Sequence, residues 1–338
     1  MVRKIYRIGK AGSINDLTLQ EEELPELEAH QVTVEIKAIG LNFADIFAIQ
    51  GLYKAAPKEQ FVPGLEFSGL VIRTGSKVNQ IKNGDRVMGV TRFGAYTTHL
   101  NIDQKYVFPL SQDWSFEEGA GFLVQALTAY YGLVYLGALE KNATVLIHSA
   151  AGGVGIWANR IAKKFGAYTI GTIGSSSKIA YCKQEGYDQV IVRSSDFETN
   201  LKNALDGRDL NLVMDSIGGD IFKVSYRVLA SQGRVVVYGS ARYTSTSSKP
   251  NYLKLALLYW RRPKVDPQTM INYNKSVMGF NLIYLYKKSE LMEKIIGELN
   301  QLNLEKPTIG HTYSFENLHE AIYKFQSGKT IGKVVVKH

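Results

Sequence analysis

Cysteine is almost missing from this chain: Cys182 is the single one among 338 residues. An internal disulfide framework and a cysteine-cluster zinc site are thereby excluded, and a reducing, cytoplasmic setting is expected. Long apolar runs are missing as well. None approaches the ~20 residues of a membrane span, and no apolar h-region of a secretory signal stands near the start, so neither membrane insertion nor secretion is expected. Internal repeats, long low-complexity tracts and nucleic-acid-binding motifs do not occur either. The formal net charge of +9 then points to an anionic cofactor or an acidic membrane surface, with no specific nucleic acid partner.

What the chain does contain is a β-branched, apolar run that leads into a glycine-rich turn. Thr144-Val145-Leu146-Ile147-His148 reads as a strand, Ser149-Ala150-Ala151-Gly152-Gly153-Val154-Gly155 as the turn, and Ile156, Ile161 and Phe165 as the stripe of a following helix. A nucleotide pyrophosphate is held in this way. Gly152 lets the backbone approach the phosphates, Gly155 lets the helix pack close to its strand, and the helix N-terminus presents unpaired N–H groups to negative charge. Ala150 takes the place of the first glycine of the usual G-x-G-x-x-G. Gly166 closes the helix, and Tyr168 to Ile173 reads as a second strand that completes a βαβ unit.

Val190-Ile191-Val192, Leu212-Val213-Met214-Asp215 and Arg234 to Tyr238 continue as short apolar runs separated by helical patterns. The fold class is therefore α/β, with a doubly wound parallel sheet whose ligand lies across the carboxyl ends of the strands, where Gly239 and Ser240 fall. An NAD site would place an acid about twenty residues beyond the glycines to bind the ribose. This chain offers Thr172, Ser175, Ser176, Ser177 and Lys178 there. Hydroxyls and a cation suit a ribose phosphate, so NADP is expected over NAD.

A chain of 338 residues exceeds one hydrophobic core, and 45% apolar content is enough for two. From Tyr6 to Phe108 the pattern is mostly β: Val32 to Ile36 alternates, Gly64 to Ile72 is a small-residue strand, and Asn83-Gly84-Asp85-Arg86-Val87 is a turn entering another. Helices are expected around Ser289 to Leu299 and near Phe315 to Gln326, with a last strand from Lys333 to Val336. The simplest division is a catalytic domain made of residues 1–124 and 283–338, with a nucleotide domain, 125–282, inserted. The most concentrated positive segment, 252–264, is apolar and aromatic before it turns basic at Arg261, Arg262 and Lys264. Such a helix can lie as a peripheral contact on a membrane interface. More commonly it packs on its own domain or at a subunit interface, with the arginines complementing the helix dipole. His148 and Cys182 have no partners in sequence and are expected to be bystanders.

Taken with Gly40-Leu41-Asn42-Phe43-Ala44-Asp45, Gly51-Leu52-Tyr53, Pro63-Gly64, Leu127-Thr128-Ala129-Tyr130 and Gly332-Lys333-Val334, the nucleotide motif resembles the zinc-free quinone oxidoreductase (zeta-crystallin-like) group of medium-chain dehydrogenase/reductases over nearly the whole chain. Gly279-Phe280-Asn281-Leu282 and the basic-aromatic segment before it are most similar to the vesicle amine transport protein branch. The resemblance implies a mostly β, GroES-like catalytic domain, a Rossmann domain and a cleft for NADPH between them. It implies no catalytic metal, because Asn42 and Leu65 stand where zinc-dependent relatives carry Cys and His, and the structural zinc loop is missing. The implied chemistry is hydride transfer from NADPH to a quinone or an α,β-unsaturated carbonyl. The alternative is a nucleotide-binding protein of membranes or trafficking with little turnover.

The resemblance also assigns residues. It places Asn42, Asp45 and Tyr53 at the catalytic cleft: Asn42 polarises the substrate carbonyl or positions the nicotinamide, Tyr53 gives a hydrogen bond or proton to the reduced oxygen, and Asp45 holds the loop. Thr128, Ala151, Gly152, Gly153 and Val154 line the pyrophosphate and nicotinamide path; Gly171, Ser175 and Lys178 surround the adenosine phosphate; Tyr238, Gly239, Phe280 and Asn281 form the nicotinamide side; Lys333 reaches the pyrophosphate. Two departures stand out. Arg193 replaces the Tyr that many quinone reductases carry beside the adenosine phosphate, which adds a cation, and Gln125 replaces an Asn at the domain junction. The family pattern further implies a homodimer joined edge to edge near Val277 to Leu282.

Overall fold

The computed structural model describes residues 1–338. Six short strands, Thr144–His148, Tyr168–Ile173, Gln189–Val192, Leu212–Asp215, Arg234–Val237 and Ser276–Gly279, form one parallel sheet. Numbered along the chain, they lie in the spatial order third, second, first, fourth, fifth, sixth, which is the doubly wound dinucleotide arrangement. The strands read as continuous apolar runs because both faces are covered. Val145 and Ile147 face a core shared with Trp157, Ala158 and Ile161 of the helix Gly153–Lys164. Leu146, Ile170, Val213 and Val235 face the opposite core with Phe197, Leu201 and Phe222 of the helices Phe197–Leu205 and Gly219–Val228. Each such side chain contributes roughly 1.5–3 kcal/mol by leaving water.

The second sheet is mixed and drawn from both ends of the chain. Its order is Ile309–Ser314, Lys333–Lys337, Gln31–Gly40, Glu66–Thr74, Arg86–Val90 and Val107–Pro109, with His99–Asp103 also paired to Gln31–Gly40. The long central strand pairs with three neighbours because bulges at Thr33/Val34 and Ile36/Ala38 bend it. The core beneath it gathers Ile8, Val34, Ile36, Phe67 and Tyr96, all close to fully buried.

A clasp brings the two sheets together at the glycine turn. The Gly332 N–H donates to the Ala151 carbonyl at 2.9 Å. Lys178 Nζ donates to the Gly328 and Thr330 carbonyls, each at 2.7 Å, and Arg160 reaches the Lys306 carbonyl at 2.7 Å and Thr308 Oγ1 at 3.2 Å.

The segment 252–264 is not packed into the core of its own chain. Tyr252–Trp260 is helical, but none of its residues is buried; it forms a rim of the cleft between the sheets. Arg262 does meet the helix end, donating to the Tyr259 carbonyl at 2.8 Å with its guanidinium 3.9 Å above the Tyr259 ring. No helix is long and apolar enough to cross a membrane. The strand Ser276–Gly279 ends the parallel sheet, so one of its edges is unpaired within the chain.

Candidate functional site

A cavity of about 1020 Å³ opens at the carboxyl ends of the parallel strands and continues to the mixed sheet. The glycine turn forms its wall, and each small residue there has a spatial reason. A Cβ on Gly155 would sit 2.4 Å from the Ser149 carbonyl and 2.8 Å from Ala150 Cα, so the helix packs on the turn only with glycine. A Cβ on Gly171 would sit 2.8 Å from Ala150 Cβ. The methyl of Ala150, where the motif usually has glycine, thus occupies room that Gly171 leaves. Gly152 meets only the Ser149 carbonyl, at 3.2 Å, and its other side is open to the cavity. The turn is tight enough to hold Ser149 at a φ of +56°. At the start of the helix Gly153–Lys164, the N–H groups of Gly153, Val154 and Gly155 have no carbonyl partner within the helix.

Lys178 and Arg193 stand at one end of this wall, both on the cavity. Two of the three Lys178 N–H groups are held by carbonyls, which fixes the ammonium and leaves one donor. Burial lowers the Lys178 pKa, and the neighbouring Arg193 adds to that. Arg193 is fastened through Nη1 to the Thr172 carbonyl and hydroxyl, each at 3.3 Å. Beneath them His148 is fully buried, with Nδ1 2.8 Å from Thr172 Oγ1 and Nε2 3.0 Å from Ser225 Oγ. Burial drives its pKa down to about 3, so it is a neutral core residue. Cys182 is buried too, and burial raises its thiol to about 11.

The floor of the cavity is a polar network drawn from four distant parts of the chain. Lys333 Nζ pairs with Glu66 Oε1 and donates to Asn42 Oδ1 at 3.0 Å. Gln125 Nε2 donates to Asn42 Oδ1 at 2.8 Å and Glu66 Oε1 at 3.2 Å. Glu66 Oε2 accepts from the Val124 N–H at 3.1 Å. Lys333 is only 3% exposed and Glu66 1%. Burial pulls the Lys333 pKa down while the Glu66 carboxylate opposes the shift.

This network changes what Asn42 can do. Both of its amide N–H bonds are taken, by the Gly40 carbonyl at 3.1 Å and Glu66 Oε1 at 3.0 Å, so no donor remains to polarise a substrate carbonyl. Its oxygen instead holds Lys333 and Gln125 in place. Asp45 lies behind the cavity wall. It accepts from the Asn42 N–H at 2.8 Å and from the Tyr96 hydroxyl at 3.2 Å, and burial pushes its pKa up to about 7.

Across the cavity, the Tyr53 hydroxyl donates to Asn281 Oδ1 at 2.7 Å. Burial raises the Tyr53 pKa to about 12, which keeps the phenol protonated at neutral pH. Tyr238, Gly239 and Phe280 flank Asn281 on the same wall.

The cavity therefore brings together Asn42, Tyr53, Thr128, Ala151, Gly152, Gly153, Val154, Lys178, Arg193, Tyr238, Gly239, Phe280, Asn281 and Lys333. Three expected residues lie off it. Asp45 supports the loop, Gly171 makes room for Ala150, and the exposed Ser175 caps the Ser177 N–H at 3.4 Å. Glu66 was not anticipated, although a lone acid in the apolar stretch Leu65-Glu66-Phe67 is a readable signal. Tyr286, buried against the same cavity, carried no such signal. No group of three or more His, Cys, Asp or Glu side chains converges as a metal site would.

Comparison with known proteins matches this architecture. A model of the alcohol dehydrogenase GroES-like domain fits residues 28–112, and one described as zinc-binding dehydrogenase fits residues 153–295. The Homo sapiens synaptic vesicle membrane protein VAT-1 homolog is 34% identical over 311 residues, covering 90% of this chain and 78% of its own. Quinone oxidoreductase-like protein 2 of Mus musculus is 31% identical over 332 residues, covering 95% and 88%. Among solved structures, the human VAT-1 homolog-like protein superposes with a TM-score of 0.85 at 25% identity, covering 100% of this chain and 98% of that one. The Escherichia coli quinone oxidoreductase, solved in complex with NADPH, gives 0.85 at 27% identity with 100% of both chains covered. The chain belongs to the medium-chain dehydrogenase/reductase family, alongside the VAT-1 homologues and the quinone oxidoreductase-like proteins.

Proposed function

We propose that this protein is an NADPH-dependent reductase of quinones or α,β-unsaturated carbonyls that uses no catalytic metal. The observation that carries the proposal is the continuous cavity from Lys178 and Arg193, along the open face of Gly152, to the Tyr53–Asn281 hydrogen bond. The residues suit NADPH at both of its ends. Two cations and no acid at the second strand fit a ribose phosphate, and the unpaired N–H groups at Gly153 to Gly155 fit a pyrophosphate. The Escherichia coli quinone oxidoreductase solved with NADPH supports this reading.

When bound, a reduced nicotinamide supplies the hydride. The chain's own residues supply position, donors and a dry wall. Tyr53 stays protonated, and on substrate binding its single O–H turns from Asn281 Oδ1 to the substrate oxygen that gains charge. Lys333, paired with Glu66 and donating to Asn42, fixes the polar floor beneath the substrate. Steady-state oxidation of NADPH by the purified protein, with and without a panel of quinones and enones, tests the proposal. Acceptor-dependent turnover is expected.

A second reading rests on the exposed rim helix. Trp260 is 77% exposed and is followed by Arg261 and Arg262, a combination that suits an anionic membrane surface. Tight NADPH binding with no turnover on any acceptor favours it. We also read the free edge of Ser276–Gly279 as the seam of a homodimer, which sizing in solution tests, and keep the division into 1–124 with 283–338, and 125–282, as the two domains.

A further inference from the structure

The cavity has two chemically different ends. Its charged lining residues are Lys178, Arg193 and Lys333, all beside the glycine turn or the floor network. Beyond Tyr53 the lining carries no charge, and two helices from different halves of the molecule present apolar stripes to it. One is Tyr252–Trp260. Its cavity-lining residues, Tyr252, Leu255, Ala256 and Tyr259, recur at the i, i+3, i+4, i+7 spacing of a single helix face. The other is Phe43–Ile49. Its residues that are not buried are Phe43, Ala44 and Phe47, and all three line the cavity.

An apolar helix with no buried residue has given up the packing that normally holds it. Leaving Tyr252 62% and Tyr259 60% exposed forgoes much of the burial free energy of each side chain. The stripe is part of the same cavity as the Tyr53–Asn281 pair, so what covers it must also reach the reacting end. A substituent on the substrate reaches both, and the absence of charge disfavours a polar or anionic one. We infer that the stripe between these helices binds an apolar chain carried by the substrate: the acceptor is a quinone or enone with an alkyl or prenyl tail, its ring or carbonyl at Tyr53 and its tail between Leu255 and Phe47. This inference rests on the reductase reading for the head group, while the tail site stands on the helix geometry.

The test is a series of 2-alkyl-1,4-benzoquinones, from methyl to decyl, and the matching 2-alkenals, assayed with NADPH. Transfer of one methylene from water changes affinity about four-fold when burial is complete. In the wild-type protein, kcat/KM rises about two- to four-fold per added carbon and then levels off at the length the groove holds. Leu255→Glu places a charge on the stripe without touching a buried core and abolishes that rise. Leu253→Glu, on the outer face at a residue 86% exposed, preserves it and thereby separates groove binding from general adhesion to an oily helix. A flat series in the wild type, or a rise that survives Leu255→Glu, overturns the inference. Where no compound is turned over, calorimetric titration of the same quinones in the presence of NADP distinguishes the two claims. Chain-dependent binding that Leu255→Glu removes keeps the tail site and rejects the reductase reading; binding independent of chain length, or none, rejects the tail site.

Discussion

Replacing Lys333 by Met removes one half of an ion pair that water does not reach. Lys333 and Glu66 are 3% and 1% exposed, and the lysine also satisfies Asn42 Oδ1 at 3.0 Å. Their charges join two strands of one sheet, Glu66–Thr74 and Lys333–Lys337, from positions 267 residues apart. Stranding a buried carboxylate costs about 3–5 kcal/mol, whereas removing both charges is close to neutral. Lys333→Met alone therefore lowers stability by about 3–5 kcal/mol, and the Glu66→Gln, Lys333→Met double variant recovers at least about 2 kcal/mol of that. For a unit of 150–250 residues, the single-variant loss corresponds to a melting temperature lower by roughly 6–20 °C. Urea unfolding of the four proteins, followed by fluorescence and circular dichroism together to expose intermediates, measures the cycle. Additive single effects, or a Lys333→Met loss under about 1 kcal/mol, refute the claim that this pair is ionised and mutually dependent.

Other consequences are equally open to measurement. His148, held neutral with a pKa of about 3 against about 6.5 when unfolded, lets the unfolded chain take up a proton first as pH falls. Stability is thus lost between about pH 6.5 and 3, by up to about 4–5 kcal/mol, and His148→Gln flattens that slope in acid-unfolding curves. Tyr53→Phe lowers kcat roughly 10- to 100-fold while the KM for NADPH stays near wild type, because the lost O–H serves the substrate oxygen; an unchanged kcat removes Tyr53 from the chemistry. Gly155→Ala drives a methyl to 2.4 Å from a backbone carbonyl. It destabilises the protein by about 1–3 kcal/mol and weakens NADPH binding, a loss that thermal shift with and without cofactor detects.

The parallel sheet was legible in sequence because its strands are buried on both faces and so appear as unbroken apolar runs. Val145, Leu146 and Ile147 leave little else to be, and Gly155 and Gly166 mark the turn and the helix end by spacing alone. The cavity wall built by the glycine turn followed from the same motif. The floor did not, because Asn42, Glu66, Gln125 and Lys333 meet only through the folded chain, and pairing across 267 residues leaves no local periodicity. Glu66 alone left a trace, as an acid inside an apolar strand. For Asn42 the sequence shows an amide, while only the fold shows that both its donors are spent on Gly40 and Glu66. The rim helix stayed open in sequence for a physical reason too: an apolar run that turns basic suits a core, a subunit interface or a membrane surface alike, and within the chain Tyr252–Trp260 faces an open cleft.

The most direct test of the account is the ratio of kcat/KM for NADPH to that for NADH, measured with a saturating quinone or enone in the wild type and in Lys178→Glu. Lys178 and Arg193 are the cations on the cavity at the end of the second strand, and each charge-assisted contact with a ribose phosphate is worth about 1.5–3 kcal/mol. The account predicts acceptor-dependent turnover that favours NADPH at least about ten-fold, with the preference, a ratio independent of how much protein stays folded, collapsing toward parity in Lys178→Glu. Equal use of both nucleotides by the wild type, or a preference that Lys178→Glu leaves intact, would contradict it.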